Sequence, residues 1–185
     1  MDVSLKSIRP DSDDYGYMAD LYLSSFPDAE QEKLENIMRV SGTDFGHLYV
    51  VLDGERRVGM LYLLTQRDLV YIYYLAVDPE LRGMGYGSRI LELVKEEHPG
   101  CRFALGCEVP DDSAPNNEER LARLAFYERN GFRDTGRRSE WKGVTYVHML
   151  CGSHEGRFEI GRIFARHRRL SRRPPERTDV NIEDP

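Results

Sequence analysis

Three places in this chain bring together residue types that do chemistry. In Arg82-Gly83-Met84-Gly85-Tyr86-Gly87-Ser88, glycines on alternate positions allow tight turns and close backbone approach, so successive N–H groups can point into one concavity. Apolar positions at helical spacing follow at Ile90, Leu91, Leu93 and Val94, which sets that concavity at a helix N-terminus, where the dipole also favours an anion. Such a site suits phosphates. Glu108 is a charged residue in the otherwise apolar run from Phe103 to Val109, a carboxylate for proton transfer or for an ion pair with a neighbouring arginine. Tyr127 lies on a helical segment; a phenol stays protonated at neutral pH, so it reads as a proton donor or as a buried aromatic.

Two other groupings read as structural. His148-x-x-Cys151-x-x-His154 has metal-ligand residue types but straddles a strand end without a fourth ligand, so no metal is expected. Cys107, beside Glu108 in the apolar run, reads as a buried thiol rather than a nucleophile.

The glycine loop is positioned by a strand before it and a helix after it. Residues 69–77, Leu-Val-Tyr-Ile-Tyr-Tyr-Leu-Ala-Val, are aromatic and β-branched like a strand buried on both faces, and Asp78-Pro79 ends the run because proline brings no donor to a ladder. A Walker loop is excluded because Ser88-Arg89 follows Gly87, and a dinucleotide fingerprint is excluded by the spacing of the third glycine. Upstream, Val3 to Ile8 alternates like a short strand. Asp11-Ser12-Asp13-Asp14 can cap a helix bearing Tyr17, Met18, Leu21, Tyr22 and Phe26, and Pro27-Asp28 opens a second helix over residues 29–40. His47 to Leu52 and Arg57 to Leu64 flank Asp53-Gly54 as a hairpin. Downstream, His98-Pro99-Gly100 stops the helix, and Arg102 to Val109 forms a strand parallel to residues 69–77, because a crossover helix separates the two. After the polar stretch Pro110 to Glu119, Leu121 to Phe132 is a helix stopped by Asn130-Gly131, and two strands follow around residues 131–137 and 144–151.

Arg82-x-x-Gly85-x-Gly87 directly after the Val77-Asp78-Pro79 strand end resembles the acetyl-CoA loop of the GNAT superfamily of N-acetyltransferases, and Phe126-Tyr127-x-x-x-Gly131-Phe132 resembles its second signature. Two signatures in order, each in its context, are far more specific than either alone. The resemblance spans roughly residues 3–151. It implies the α/β (α+β) GNAT fold, a mixed, mostly antiparallel twisted sheet with a central parallel strand pair and flanking helices. It implies acetyl-CoA as co-substrate, with the N–H groups of Arg82, Gly83, Met84, Gly85, Tyr86, Gly87 and Ser88 on the pyrophosphate. The segment Leu75-Ala76-Val77 would hold the pantetheine and the thioester carbonyl through backbone groups of Leu75 and Val77. Tyr127 matches the tyrosine that protonates the departing thiolate in many members. Glu108 resembles the strand glutamate used as base in some N-terminal peptide acetyltransferases, although Arg120 stands where those relatives have an asparagine. In the histone-acetylating branch the base lies on the central strand, where this chain has Tyr71. In such a fold the first helical pair flanks the acceptor groove, so Tyr17, Tyr22, Phe26 and Pro27 either line it or pack the core. The implied function is direct transfer of an acetyl group to an amine of a small molecule or peptide, without a covalent enzyme intermediate. The alternative is a non-catalytic CoA-binding or protein-interaction module of the same fold.

Composition bounds the setting. With 185 residues, 40% hydrophobic and 31% charged, the chain can bury one good core. It divides most simply into an acetyltransferase domain over residues 1–151 and an arginine-rich helix with a disordered tail over residues 152–185. Phe158, Ile160, Ile163, Phe164 and Leu170 could form the apolar face of that helix, with Arg157 and Arg162 among its arginines. The net charge of -6 combines an acidic body with this basic end, and an acidic body suits a cationic substrate as well as plain solubility. The arginines come without a nucleic-acid-binding motif, which weighs against a nucleic-acid partner. No apolar run is long enough for a membrane span, the first residues lack the apolar core of a signal peptide, and three cysteines without CxxC spacing fit a reducing compartment. A cytoplasmic protein is expected.

Overall fold

The structure is a computed structural model describing residues 1–153 and 160–172. In chain order its elements are β1 (Val3–Ser7), α1 (Asp13–Ser25), α2 (Leu34–Ser41), β2 (Gly46–Asp53), β3 (Arg56–Gln66) and β4 (Leu69–Val77). A 3-10 turn at Pro79–Leu81 leads to α3 (Tyr86–Glu97), β5 (Arg102–Glu108), α4 (Asn117–Arg129), β6 (Arg133–Trp141), β7 (Val144–Cys151) and α5 (Ile160–Ser171). The strands form one mixed sheet in the order β1-β2-β3-β4-β5-β7-β6, antiparallel at every junction except the parallel pair β4–β5. This is the α/β class expected from the sequence.

Helices cover both faces. Met18, Leu21 and Tyr22 of α1, Ile37 and Val40 of α2, and Ile160 and Ile163 of α5 pack with Tyr62, Tyr71 and Tyr74 on one side. Ile90, Leu91 and Val94 of α3 and Tyr127 of α4 pack with Ile72, Leu105, Val147 and Met149 on the other. The double cover explains why β4 reads as a continuous apolar run rather than an alternating one.

The feature that matters for a site is where β4 leaves β5. Tyr62 pairs with Tyr74 and Leu63 with Ile72, so Tyr73 is an extra residue with no partner on β3. A bulge of this kind bends its strand and strengthens the local twist. The β4–β5 pairing runs from Leu69↔Arg102 to Ile72↔Leu105 and stops there, although β4 continues to Val77 and β5 to Glu108. A gap therefore opens at Tyr73. Its closed end is clipped: the Arg102 N–H donates to the Asp68 carbonyl at 2.7 Å, and its guanidinium grips the Asp68 carboxylate at 2.8 and 3.3 Å.

Several boundaries differ from the sequence reading. The second helix begins at Leu34 rather than at residue 29, because tertiary bonds claim the intervening backbone. The Tyr74 hydroxyl donates to the Glu30 carbonyl at 2.8 Å, and the Glu32 N–H donates to the Tyr22 hydroxyl at 2.7 Å. At the start of α1, Ser12 is the N-cap but its hydroxyl donates back to the Arg9 carbonyl. Asp14 is not a cap either; it is buried between Lys6 at 2.7 Å and Arg57 at 2.8 Å. The fourth helix begins at Asn117, inside the polar stretch ahead of the expected start at Leu121. Arg157, Phe158 and the tail from residue 173 lie outside the described residues, as does His154.

Candidate active site

At the end of β4 the chain turns through Pro79–Leu81, where the Asp78 carboxylate accepts from the Glu80 N–H at 3.1 Å. Gly83 and Gly85 then adopt φ of +76° and +88°, a left-handed conformation that glycine reaches without steric cost. Gly85 is the N-cap of α3, and helix geometry leaves the N–H groups of Tyr86, Gly87 and Ser88 without an intrahelical acceptor. The N–H groups of Arg82 and Met84 already donate to Pro79 and Leu81, each at 3.4 Å. The Tyr86 side chain turns inward, donating to Asp53 at 2.7 Å, and so pins the helix start to the β2–β3 hairpin. Gly87 serves a different purpose from its neighbours. A Cβ there would come within 3.0 Å of the Phe126 ring, so its bare backbone makes room for α4.

Backbone alternation settles which β4 groups face the gap. The Asp78 N–H donates to the Val58 carbonyl, and the Ala76 carbonyl lies against Gly59 of β3, so these two residues turn their polar groups to β3. With a period of two, Leu75 and Val77 turn theirs to the gap. Among the described residues they form an unpaired edge, of the kind an extended ligand can extend by strand-like hydrogen bonding.

Tyr127 of α4 is buried on the α3 side of the sheet, beside Cys107 of β5. The end of α4 is closed by two bonds, Phe132 N–H to the Tyr127 carbonyl and Gly131 N–H to the Glu128 carbonyl, each at 3.0 Å, with Gly131 at φ +86°. This is the Schellman arrangement, completed by the edge-on contact of the Tyr127 and Phe132 rings at 5.8 Å. The spacing Phe126-Tyr127-x-x-x-Gly131-Phe132 is thus a helix stop that holds one tyrosine rigid. Burial, with Cys107 the next cause, pushes the Tyr127 phenol well above its usual range and keeps it protonated. Burial also pushes the Cys107 thiol up to about 11, so it is no nucleophile at neutral pH.

Glu108 ends β5, buried, with one oxygen 3.0 Å from Arg120 and the other 2.9 Å from Arg123, both on α4. Against it lies a residue that sequence reasoning missed, Glu30, whose carboxyl also meets the Tyr146 phenol from β7. Burial and the Glu108 charge push the Glu30 carboxyl above the usual carboxylate range. Seventy-odd residues separate the two glutamates in the chain, and no local pattern marks the pair.

On the α1 side, His167 of α5 stacks on Tyr73 at the bulge, with ring centroids 5.0 Å apart and planes at 22°. Phe26, Tyr22 and Tyr74 form an aromatic group with centroids 4.8 to 5.5 Å apart, and Tyr17 is drawn away toward Asp78 and Arg57. Tyr71 is buried beneath Phe164. His148 is buried with its Nε2 bonded to Ser139 Oγ at 2.9 Å.

Residues 44–134 match the family model described as acetyltransferase (GNAT) domain. Over this stretch the chain carries a GNAT acetyltransferase domain. A comparison with curated proteins finds no match. Among solved structures, a putative GNAT-family acetyltransferase from Bacteroides thetaiotaomicron is similar with a TM-score of 0.72 at 23% identity, covering 88% of this chain and 94% of that one. A GNAT-family acetyltransferase from Elizabethkingia anophelis, solved with acetyl-CoA bound, gives 0.57 at 15% identity over 82% and 99% of the two chains. Naa50 from Arabidopsis thaliana, in complex with the bisubstrate analogue CoA-Ac-MVNAL, gives 0.60 at 18% over 83% and 100%. At these identities the likeness is one of fold. The two sequence signatures touch each other directly, through Gly87 and Phe126, and the first follows the end of β4 that leaves β5.

Proposed function

We propose that the protein transfers an acetyl group from acetyl-CoA directly to an amine. The observation that carries this reading is the gap itself: it opens at Tyr73 and borders the glycine loop at the end of β4, with a rigid, protonated Tyr127 buried beside Cys107 of β5. Relatives of the same fold solved with acetyl-CoA or CoA support the choice of co-substrate. When bound, acetyl-CoA supplies a thioester that amines attack. The residues fit it. Gly83, Gly85 and the first turn of α3 would hold the pyrophosphate, as anions are held at helix N-termini, with Arg82 and Met84 fixing the turn. Leu75 and Val77 would hold the extended arm through their backbone groups. Tyr127 would give its proton to the departing sulfur, the role for which a phenol kept neutral is suited.

An amine acceptor is favoured because the carboxyl groups at the end of β5 belong to Glu30 and Glu108, which attract a cation. The pairing of Glu108 with Arg120 and Arg123 supports a charge-holding role for it, at the acceptor end of the gap. The test is Tyr127→Phe, assayed by thiol release from acetyl-CoA with a panel of primary amines. Turnover should fall by about 10²–10⁴-fold while acetyl-CoA affinity stays within a factor of about 3, because the change removes only the proton donor and keeps the buried ring in place. Unchanged turnover would remove Tyr127 from the mechanism. A wild type that binds acetyl-CoA yet acetylates no amine would leave the non-catalytic module.

A further inference from the structure

Resting on that acetyl-transfer reading, we infer that Glu30 is the catalytic base that takes a proton from the acceptor's ammonium group, with Glu108 as its fixed charge partner. Glu30 lies in the turn between α1 and α2, and that turn is held from three directions. The Glu30 N–H donates to the Pro27 carbonyl at 2.8 Å, its carbonyl accepts from the Tyr74 hydroxyl at 2.8 Å, and Gln31 Nε2 donates to the Phe26 carbonyl at 2.6 Å. Tyr74 follows the bulge residue directly, so the base is tied to the strand at the point where the gap opens.

The two glutamates differ in what already holds them. Each Glu108 oxygen has its own guanidinium and the side chain is only 4% exposed, so it is poorly placed to receive a proton from a substrate. Glu30 is half-buried, and its neighbours are the Glu108 carboxyl and the Tyr146 phenol. Facing it from the packed elements are Glu108 and Cys107 of β5, Tyr146 of β7, Arg123 of α4 and Tyr22 of α1. Burial and the Glu108 charge raise its proton affinity, while Arg123 opposes them. An alkylammonium with a pKa near ~10.4 gives up its proton reluctantly, and each unit by which the base is raised makes the transfer about tenfold less uphill.

The step balances as follows. The ammonium gives one proton to Glu30, the freed nitrogen lone pair forms the C–N bond, and the C–S electron pair leaves with sulfur. Tyr127 protonates the sulfur and is reprotonated through solvent by the second proton lost from nitrogen. Glu30 then releases its proton to water. Ammonium and thioester become amide, thiol and one free proton.

The experiment compares wild type, Glu30→Gln and Glu108→Gln in thiol-release assays from pH 6 to 10. The acceptors are a linear polyamine, an arylethylamine, an aminoglycoside, a peptide with a free N-terminus, and aniline, whose nitrogen is already neutral at pH 7. On whichever alkylamine the wild type uses, Glu30→Gln should lower kcat/KM by about 10²–10⁴-fold at pH 7. That loss should shrink about tenfold per pH unit as the free amine accumulates, and it should be small on aniline. Glu108→Gln removes a negative neighbour and leaves Arg123, so the acid limb of the profile should move to lower pH. The melting temperature separates this from misfolding. A carboxyl whose folded pKa is raised favours the fold only below its ordinary pKa near ~4.3, and works against it once pH rises through the folded value. Glu30→Gln should therefore melt above wild type at pH 7. A Glu30→Gln enzyme with wild-type activity, or with a loss independent of pH and of the amine, overturns the assignment alone. A wild type inert toward every amine overturns acetyl transfer and the assignment with it.

Discussion

Replacing Glu108 with alanine should destabilise the protein far more than an ordinary surface change. The side chain is 4% exposed and faces Arg120, itself only 12% exposed. Removing one partner of a buried ion pair leaves the other charge uncompensated, at a cost of about 3–5 kcal/mol. Arg123 is 38% exposed, so water screens it and its pairing adds less than about 1 kcal/mol. In a chain of this size each kcal/mol lowers Tm by about 2–4 °C, which puts the expected drop at roughly 6–20 °C. The assay is thermal unfolding at pH 7 of wild type, Glu108→Ala, Arg120→Ala and the double variant. Because most of the cost is the stranded arginine, the double variant should be less damaged than the sum of the single ones, with a coupling above about 1 kcal/mol. A drop below about 1 kcal/mol without coupling would refute the reasoning and free Glu108 for a role that does not depend on its arginines.

Two further outcomes follow from buried polar groups. The Tyr62 hydroxyl is buried without a hydrogen-bond partner among the described residues, so Tyr62→Phe should raise stability by about 1 kcal/mol in a denaturant titration; a loss of that size would mean the hydroxyl is bonded. His148 and His167 have pKa values lowered chiefly by burial, so the unfolded chain takes up more protons than the folded one below the ordinary value near ~6.5. Their contribution is complete above that pH and is lost as pH falls through the lowered folded values. Tm should decline between pH 6.5 and 5, and a rise over that interval would contradict their buried neutral state.

Much of the fold is local, and that part was legible. The run at 69–77, Pro79, and the glycines at 83 to 87 each carry their own conformational preference, and Asn130-Gly131 closes α4 by short-range bonds. What escaped the sequence depends on partners far along the chain. The bulge at Tyr73 exists only through the register of β4 against β3. The helix expected from residue 29 starts at 34 because hydroxyls of Tyr22 and Tyr74 take up the backbone near Glu30 and Glu32. The same bonds present Glu30 to Glu108, so the misplaced boundary and the missed site residue have one cause. Gly87 was legible as a glycine of the loop, but its neighbour is the Phe126 ring, a contact between two motifs that spacing alone does not join.

The central claim is tested most directly by thermal unfolding with acetyl-CoA, on wild type beside Gly85→Val. Valine at φ +88° is strained and distorts the N-cap of α3, where the pyrophosphate would bind. At about 100 times its dissociation constant the ligand should stabilise wild type by about 2.7 kcal/mol, a Tm rise of roughly 5–11 °C, and the variant little. No rise in wild type at saturating acetyl-CoA would contradict the account, whatever the fold.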